Sequence, residues 1–441
     1  MARALLAVAL LVAAALFLST TAPHRRVLRL PAGVVHLDGA WPVGDGVELR
    51  GSPYGTVLRM EAGFDGPGAL IVGNDVYLHD FTIDGNRGAL EERAGLAPYD
   101  VPFSRFTRAN GVYAVGVTGL RIDNLRFHDM AGFAVLASRA HDVSLYRVTV
   151  SDSGSRGASG HNNATGGILL EEGTTDFLVT QCDLLRIRGN GVWTHSLYTS
   201  PRNARGLILR NRFEEIGRDA IQVGHAMDVR VEENAGARIG YPQEAVDVDK
   251  QDRAIPVAVD TAGNVERSSY ARNRFEEIDG KCIDLDGFHD GEVRANECVN
   301  RGAPEKYRFG NDGIVMNNSN PDMRTQNIRV VENLVEGPSF GGIFVIGAGN
   351  LIARNRLLNL NRAHCNEEAA RFGCYYAPGE PDMLRTGVYL GKGAERPAPA
   401  RGNIVEQNEI TGFKMSSRCV ARAPGIPEGW NTVRDNTCRD R

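Results

Sequence analysis

The sequence lacks a basic excess: 50 lysine and arginine residues face 54 aspartate and glutamate residues, and the net charge is −4. Nucleic acid is therefore not an expected partner. Only five of the basic residues are lysines, a bias from which we infer no function. Beyond residue 18 there is no long hydrophobic run, which excludes a multi-span membrane protein. A composition of 42% hydrophobic and 24% charged residues excludes wholesale disorder.

The one long hydrophobic run is Ala4–Leu18, which follows Arg3. Its 15 residues are short for a membrane-spanning helix and typical of the core of a signal peptide. We predict a signal peptide over residues 1–22 and a secreted or periplasmic protein. The alternative is an uncleaved membrane anchor followed by Arg25 and Arg26, which would make this segment the only membrane tether.

The seven cysteines show no spacing typical of a zinc site. In an exported protein they favour disulfides, and pairs close in sequence are the easiest to form. The predicted disulfides are Cys365–Cys374, Cys282–Cys298 and Cys419–Cys438, which leave Cys182 free.

The body of the chain is a repeat. An apolar residue, two residues, a key position, one residue and a second apolar residue recur, and the smallest spacing between copies is 22–23 residues. Short alternating apolar runs at this period predict a β-solenoid coil of about three strands and three turns. A leucine-rich repeat has a similar period, but its Leu-rich consensus and helix are absent. From residue 211 onward the key position is always asparagine: Asn211, Asn234, Asn273, Asn296, Asn333, Asn355, Asn408 and Asn436.

Asparagine suits a stacked turn, because its side chain tolerates left-handed backbone and can bond to the equivalent Asn of the next coil. We predict an all-β fold, a right-handed parallel β-helix of about twelve or more coils. It would form one domain over residues 27–441.

A second strand precedes the Asn turn in most coils, and longer segments are inserted around it. In this strand the second and fourth residues are apolar and should face the core, so the third and fifth face outward. A walled groove over this strand stack suits a linear polymer, because loops on a rigid scaffold carry function. The segments before the strand are 86–109, 152–166, 240–253, 300–311 and 361–386, and those after it are 195–205 and 317–327.

The N-terminal coils carry a family resemblance. The segments 31–37, 46–51, 56–59 and 81–86 resemble the first coils of the right-handed parallel β-helix proteins of the pectate-lyase-like superfamily. The resemblance covers roughly residues 27–441 and implies the β-helix fold. It does not select an activity, because this superfamily contains lyases, hydrolases, epimerases, tailspikes and adhesins.

Catalytic signatures of these relatives carry over only in part. Gly217-Arg-Asp-Ala220 and Gly224-His-Ala226 are partial versions of two hydrolase motifs. The epimerase motif Asp-Pro-His is replaced by Asp286-Gly-Phe-His289.

Asp284 and Asp286 are the most informative outward residues. As i and i+2 on one strand face their Cα atoms lie about 6.6 Å apart. This is compatible with the separation of about 6.5–9.5 Å between the acid and base carboxyls of inverting glycosidases. We expect Asp260 one coil away, near Asp286, where clustered carboxylates raise one another's pKa. A calcium ion is the alternative occupant of the Asp pair; no other metal or cofactor is predicted.

His289 and His225 should occupy matching points after the strand and orient or protonate a substrate. Lys281 could be the base of a lyase, with Arg218 as its equivalent two coils earlier. Trp193, as an outward aromatic residue, could stack on a sugar. The remaining predicted substrate-binding residues are Glu171, His195, Gln222 and Asn317.

These residues favour an exported enzyme that cleaves glycosidic bonds of a polysaccharide, with hydrolysis by two carboxylates as the leading hypothesis. One alternative is a lyase or C5-epimerase acting on a uronate polymer. A further alternative is a non-catalytic glycan-binding solenoid or adhesin.

Overall fold

The structure, a computed structural model, describes residues 25–95, 97–246, 255–310, 312–320, 322–365, 374, 380, 382–393 and 396–441. The predicted signal peptide and parts of the insertions 240–253 and 361–386 lie outside the described residues. In the described part no helix is long and apolar enough to cross a membrane.

The described chain is a stack of coils in which parallel strands pair with the equivalent strand of the next coil. The strands fall into three faces, here called the groove sheet, the second sheet and the third sheet. The groove sheet contains Asn110–Val115, Val135–Ser138, Ile168–Glu171, Val192–His195, Ile221–Gly224, Val257–Glu266, Lys281–His289, Ile314–Asn317, Ile343–Val345, Val388–Leu390 and Val420–Arg422. The second sheet contains Arg26–Arg29, Val47–Arg50, Tyr77–His79, Thr118–Asp123, His141–Tyr146, Thr175–Thr180, Asn203–Leu209, Ala226–Glu232, Ser269–Ala271, Glu292–Arg294, Arg329–Val331, Leu351–Ala353, Ile404–Glu406 and Thr432–Arg434. The third sheet contains Thr82–Asp84, Arg126–His128, Thr149–Ser153, Asp183–Ile187, Arg212–Ile216, Ala235–Ile239, Arg274–Ile278, Glu297–Val299, Leu334–Glu336, Arg356–Leu360, Glu409–Gly412 and Thr437–Asp440.

Two long strands, Gly33–Val43 and Thr56–Val72, begin the solenoid and run from the third sheet into the groove sheet. The predicted right-handed parallel β-helix is thus confirmed.

The core consists of aliphatic columns that run along the solenoid axis. One side-chain position of the groove sheet is aliphatic in ten successive strands, and each member is at most 2% exposed. In-register stacking of branched side chains lets each coil bury the apolar face of its neighbour. The column is Val112, Val135, Ile168, Val192, Ile221, Val259, Ile283, Ile314, Ile343 and Val388.

The predicted asparagine ladder is confirmed. From Asn211 to Asn436, each Asn side chain donates from Nδ2 to Oδ1 of the next Asn at 2.8–2.9 Å. We expected the Asn itself to adopt the left-handed conformation. Instead the residue before each Asn of the ladder does so, with φ of 52–61°. The Asn backbone is then free to bond to the next Asn side chain as well, as Asn234 N does to Asn273 Oδ1 at 3.1 Å. A shorter second ladder, Asn350–Asn403–Asn431, was not predicted.

The three predicted disulfides, Cys282–Cys298, Cys365–Cys374 and Cys419–Cys438, are all present, and Cys182 is a buried free thiol. Helices occur outside the sheets. The α-helices are Arg87–Ala94 and Phe103–Phe106, and the 3-10 helices are Gln243–Ala245, Pro304–Lys306, Met383–Arg385 and Glu428–Trp430.

Candidate active site

The groove sheet has a wall along each side. On one side the insertions that precede its strands bond to one another: Arg156 N donates to Glu91 Oε1 at 2.8 Å, and Asn162 N donates to the Ala245 carbonyl at 2.7 Å. Gln243 Nε2 then donates to the Lys306 carbonyl at 2.5 Å. These contacts join four insertions into one continuous wall.

The opposite wall forms from segments that follow the groove strands. Asn320 Nδ2 donates to the Tyr198 hydroxyl at 2.9 Å, which joins the segments 195–205 and 317–327. The groove between the walls has the strand stack as its floor.

The register of the floor corrects the predicted position of Asp260. Asp260 pairs with Gln222, and its neighbour Val259 pairs with Ile283, so Asp260 lies beside Asp284. Asp286 instead pairs with Ala262. The expectation that Asp260 lies near Asp286 was wrong, because the register differs from the predicted one by two residues. A shift of two residues leaves the Asp260 side chain on the predicted face of the strand but places it beside Asp284 instead of Asp286.

Asp219, Asp260 and Asp284 form a cluster of buried carboxyl groups on the groove floor, here called the aspartate cluster, with 6%, 7% and 7% of each residue exposed. Gln222 Nε2 donates to Asp260 Oδ2 at 2.5 Å, and the backbone N–H of Val257 donates to Asp219 Oδ1 at 3.0 Å. The cluster is linked to a further coil by Asn190, whose Nδ2 donates to Gln222 Oε1 at 3.0 Å.

Burial and mutual repulsion hold protons in this cluster. Burial raises the pKa of Asp219 to about 6, and the negative charge of Asp284 adds to this, although Arg218 opposes it. The pKa of Asp260 is raised well above its ordinary value, first by burial and then by the charges of Asp219 and Asp284. Both shifts favour the protonated forms of these carboxyls over their ionised forms.

Lys281 supplies the positive charge of the cluster. Its Nζ donates to Asp284 Oδ2, whereas Asp284 Oδ1 is buried and has no hydrogen-bond partner in the described part of the chain. A further acid, Asp312, lies within the field of Lys281 and Asp284, and burial raises its pKa to about 7. Lys281 pairs with Val257 on the neighbouring coil, and the register of the next coil places Asp219 opposite Val257. The residue equivalent to Lys281 two coils earlier is therefore Asp219 and not Arg218 as predicted.

The structure gives Asp286 a different environment from Asp284. Both of its carboxylate oxygens accept hydrogen bonds from Ser319, from the backbone N–H at 2.8 Å and from the hydroxyl at 2.5 Å. Partial burial, and then the charge of Asp286, raise the pKa of Tyr198 to about 12, although 45% of this residue is exposed. Asp286 therefore anchors the wall formed by the segments 195–205 and 317–327, here called the second wall. Asn317, which pairs with Asp286, accepts a bond from the neighbouring Asn318 N–H.

The two predicted histidines do not occupy matching points. His225 follows Gly224, which pairs with Ala262, and its ring lies 4.8 Å from that of Tyr198. Burial, together with the nearby Arg202 charge, lowers the pKa of His225 to about 4. His289 pairs with Glu266 farther along the coil. It lines a separate cavity instead of the aspartate cluster.

Trp193, Glu171 and His195 form a covered corner of the groove. Glu171 is fully buried, and its carboxylate accepts the backbone N–H groups of Phe103 and Ser104 at 2.9 and 2.8 Å. The Phe103 ring then lies 5.1 Å from Trp193, edge to face, so Trp193 is half-buried and not an open platform. Glu171 was predicted to bind substrate; in the structure it is 0% exposed and holds the insertion that covers this corner. Burial lowers the pKa of His195 to about 4.

Sequence reasoning missed Asp312, Tyr198 and the role of Asp219. Asp219 and Asp312 stand in the turn before a groove strand, so the alternation of strand residues does not reach them. The signal for Asp219 was the partial motif Gly217-Arg-Asp-Ala220.

Groups of side chains that could hold a metal ion lie outside the aspartate cluster. Among the described residues, ligand atoms of three acidic or histidine side chains approach within 4.8 Å of one another in two groups: Asp84, His128 and Asp129, and Glu171, Glu172 and His195. Neither group contains a member of the aspartate cluster.

No protein-family model and no curated protein matches the chain. Solved structures do match. A surface adhesin of Streptococcus pneumoniae is 12% identical with a TM-score of 0.51, over 75% of this chain and 82% of that one. An exopolygalacturonase from Thermotoga maritima is 11% identical with a TM-score of 0.49, over 74% and 82%. The catalytic domain of a GH87 α-1,3-glucanase is 13% identical with a TM-score of 0.49, over 93% and 64%. At this identity the likeness concerns the fold alone, which is the parallel β-helix described above.

Proposed function

We propose that the chain is an exported glycoside hydrolase that cleaves a polysaccharide lying in the groove, with Asp260 as general acid and Asp284 as general base. The observation that carries the proposal is the aspartate cluster: buried carboxyls on neighbouring coils of a walled groove, with pKa values driven upward at Asp219 and Asp260. Pairs of carboxyls whose environments differ are the usual machinery of glycosidic bond cleavage. The three disulfides agree with an oxidising compartment outside the cytoplasm.

Asp260 is suited to donate a proton. Burial, and then the charges of Asp219 and Asp284, raise its pKa well above the ordinary value, which favours the protonated form of the carboxyl. Because Gln222 donates to Oδ2, the acidic proton belongs on Oδ1. In the proposed step this proton passes to the glycosidic oxygen as the bond between that oxygen and the anomeric carbon breaks.

Asp284 is suited to accept a proton. Lys281 holds Oδ2, and Oδ1 has no partner within the described residues. In the proposed step Oδ1 takes a proton from a water molecule while the water oxygen bonds to the anomeric carbon. The two aspartates sit on adjacent coils, whose strands lie about 4.8 Å apart. The proposed step therefore requires the two carboxyl groups to diverge to about 6.5–9.5 Å, the separation that leaves room for the water, with Asp260 held toward Gln222 of the preceding coil.

A lyase or epimerase mechanism would need a base that removes a proton from a sugar carbon. The predicted candidate, Lys281, is engaged by Asp284, and an ammonium group in an ion pair cannot accept a proton. This contact argues against Lys281 as that base, whereas Arg218, His225 and His289 stay candidates for it, and the product analysis described next separates hydrolysis from the two alternatives.

The test is a panel of acidic and neutral polysaccharides, read by new reducing ends and by the ultraviolet absorbance of an unsaturated product. We expect reducing ends without absorbance. On the substrate found, Asp260→Asn and Asp284→Asn should lose about 10²–10⁴-fold in turnover. The matched control is Asp38→Asn, an exposed strand aspartate far from the cluster in sequence, which should keep parental turnover.

Three results would reject the proposal. An absorbing product would indicate a lyase. Saturable binding without cleavage on every polysaccharide would indicate an adhesin. Parental turnover in both cluster variants would remove the acid and base roles.

A further inference from the structure

A second polar space lies beyond the aspartate cluster, where the strands leave the groove sheet. It has a volume of about 460 Å³, within the range of cavities that hold small ligands. None of its lining residues belongs to the cluster. They are Arg202, Asn264, Glu266, His289, Asp322 and Arg324.

The side chains that line this cavity place hydrogen-bond donors next to acceptors. Arg202 Nη2 lies 2.9 Å from Glu266 Oε1, and His289 Nε2 lies 2.9 Å from Asn264 Oδ1. Neighbouring hydroxyl groups of a pyranose are spaced similarly, and each hydroxyl both donates and accepts. A sugar can therefore bind across such a pair, accepting from the guanidinium and donating to the carboxylate.

The charges of the lining balance, since two arginines face two carboxylates. A ligand with its own negative charge would meet Glu266 and Asp322 as well as the arginines. A neutral ligand with many hydroxyls fits this surface better than an anion does.

The cavity continues from the second wall of the groove. Tyr198 of that wall contacts the ring of His225, and the charge of Asp322 acts on both side chains. His225 is 8% exposed, and its Nδ1 has no hydrogen-bond partner in the described part of the chain. His225 does not itself line the cavity, so the cavity is connected to this part of the groove through Asp322.

We propose that this cavity is a subsite for a neutral hexopyranose unit, such as a side branch or an end residue of the glycan whose backbone lies in the groove. The inference rests on the proposed function for the glycan itself. It assigns His289, predicted as catalytic, to sugar binding.

The test uses the methyl glycosides of glucose, galactose and mannose as probes, soaked into crystals of the full chain and titrated by NMR. We expect a pyranose in the cavity for at least one of them. Arg324→Ala and Asp322→Asn remove a charged partner from an exposed position and should weaken that binding about tenfold or more. Arg126→Ala, an exposed arginine of the third sheet, is the matched control and should bind as the parent does.

The inference is overturned if none of the three sugars occupies the cavity, if methyl galacturonate binds more tightly than all of them, or if both cavity variants bind like the parent. Because the probes contain no polymer linkage, their binding does not depend on cleavage. Failure of the hydrolase proposal, seen as parental turnover in Asp260→Asn, is therefore a separate result.

Discussion

Replacing Asp219 by Asn should stabilise the protein at neutral pH. Asp219 is 6% exposed, and its folded-state pKa of about 6 exceeds the ordinary value of 3.8. The amide keeps the shape of the side chain and an oxygen that can accept the Val257 N–H. It removes only the cost of ionising a buried group beside other carboxylates.

The size and sign follow from linkage. A shift of about 2 pKa units corresponds to about 3 kcal/mol. Because the folded pKa is raised, the parent has its full stability below pH 4, where Asp219 is protonated in both states. That stability is lost as the pH rises from about 4 through about 6. The gain in Asp219→Asn should therefore be absent at low pH and reach about 3 kcal/mol above pH 6.

The assay is urea unfolding of parent and variant across this pH range. Asp38→Asn, at an exposed position, should follow the parent at every pH. Two results would contradict a raised pKa of Asp219: an Asp219→Asn variant that is less stable than the parent at pH 7, or a difference between the two free energies of unfolding that stays constant from pH 4 to pH 7.

Other predictions concern the scaffold. Asn273→Ala should lower the free energy of unfolding by about 1–3 kcal/mol, because Asn234 N and Nδ2 lose their shared acceptor. Asn436 Oδ1 likewise accepts from Asn408 N and Nδ2, but this residue is partly exposed, so water can replace the bonds lost in Asn436→Ala and urea unfolding should show a smaller loss. Equal losses would contradict the role of burial in the ladder. Removing Cys282–Cys298 by a double Ser substitution should cost about 2–5 kcal/mol, measured without reductant. No difference between the double variant and the parent would contradict this. Glu171→Gln should leave Trp193 more exposed, seen as red-shifted fluorescence, because one oxygen that holds Phe103 or Ser104 becomes a donor. Unchanged emission would contradict that anchoring.

The repeat made the fold predictable, because each coil repeats the same constraints. The key asparagines and the alternating apolar residues fix both the turn and the inward face, and the paired cysteines lie close in sequence. The predicted register was wrong at one strand, Val257–Glu266. Val257, Ala258 and Val259 are all buried, so the apolar pattern did not show which alternate residue of this strand corresponds to Asp284.

The site was less predictable, because its contacts join segments that are distant in sequence. Nothing local shows that Glu171 bonds to Phe103, 68 residues earlier, or that Tyr198 bonds to Asn320, 122 residues later. Turn residues such as Asp219 reach the groove only through the geometry of the coil. Asp260 and Asp284 were identified as site residues because they stand on the outward face of a strand, where alternation does apply.

The most direct test of the central claim compares two substrates in Asp260→Asn. A general acid is needed when the leaving group is a sugar hydroxyl, and much less when it is an acidic phenol. Using the sugar that the panel identifies, we expect a loss of about 10²–10⁴-fold on the natural linkage and little loss on its dinitrophenyl glycoside. An equal loss on both substrates would contradict the assignment of Asp260 as the proton donor.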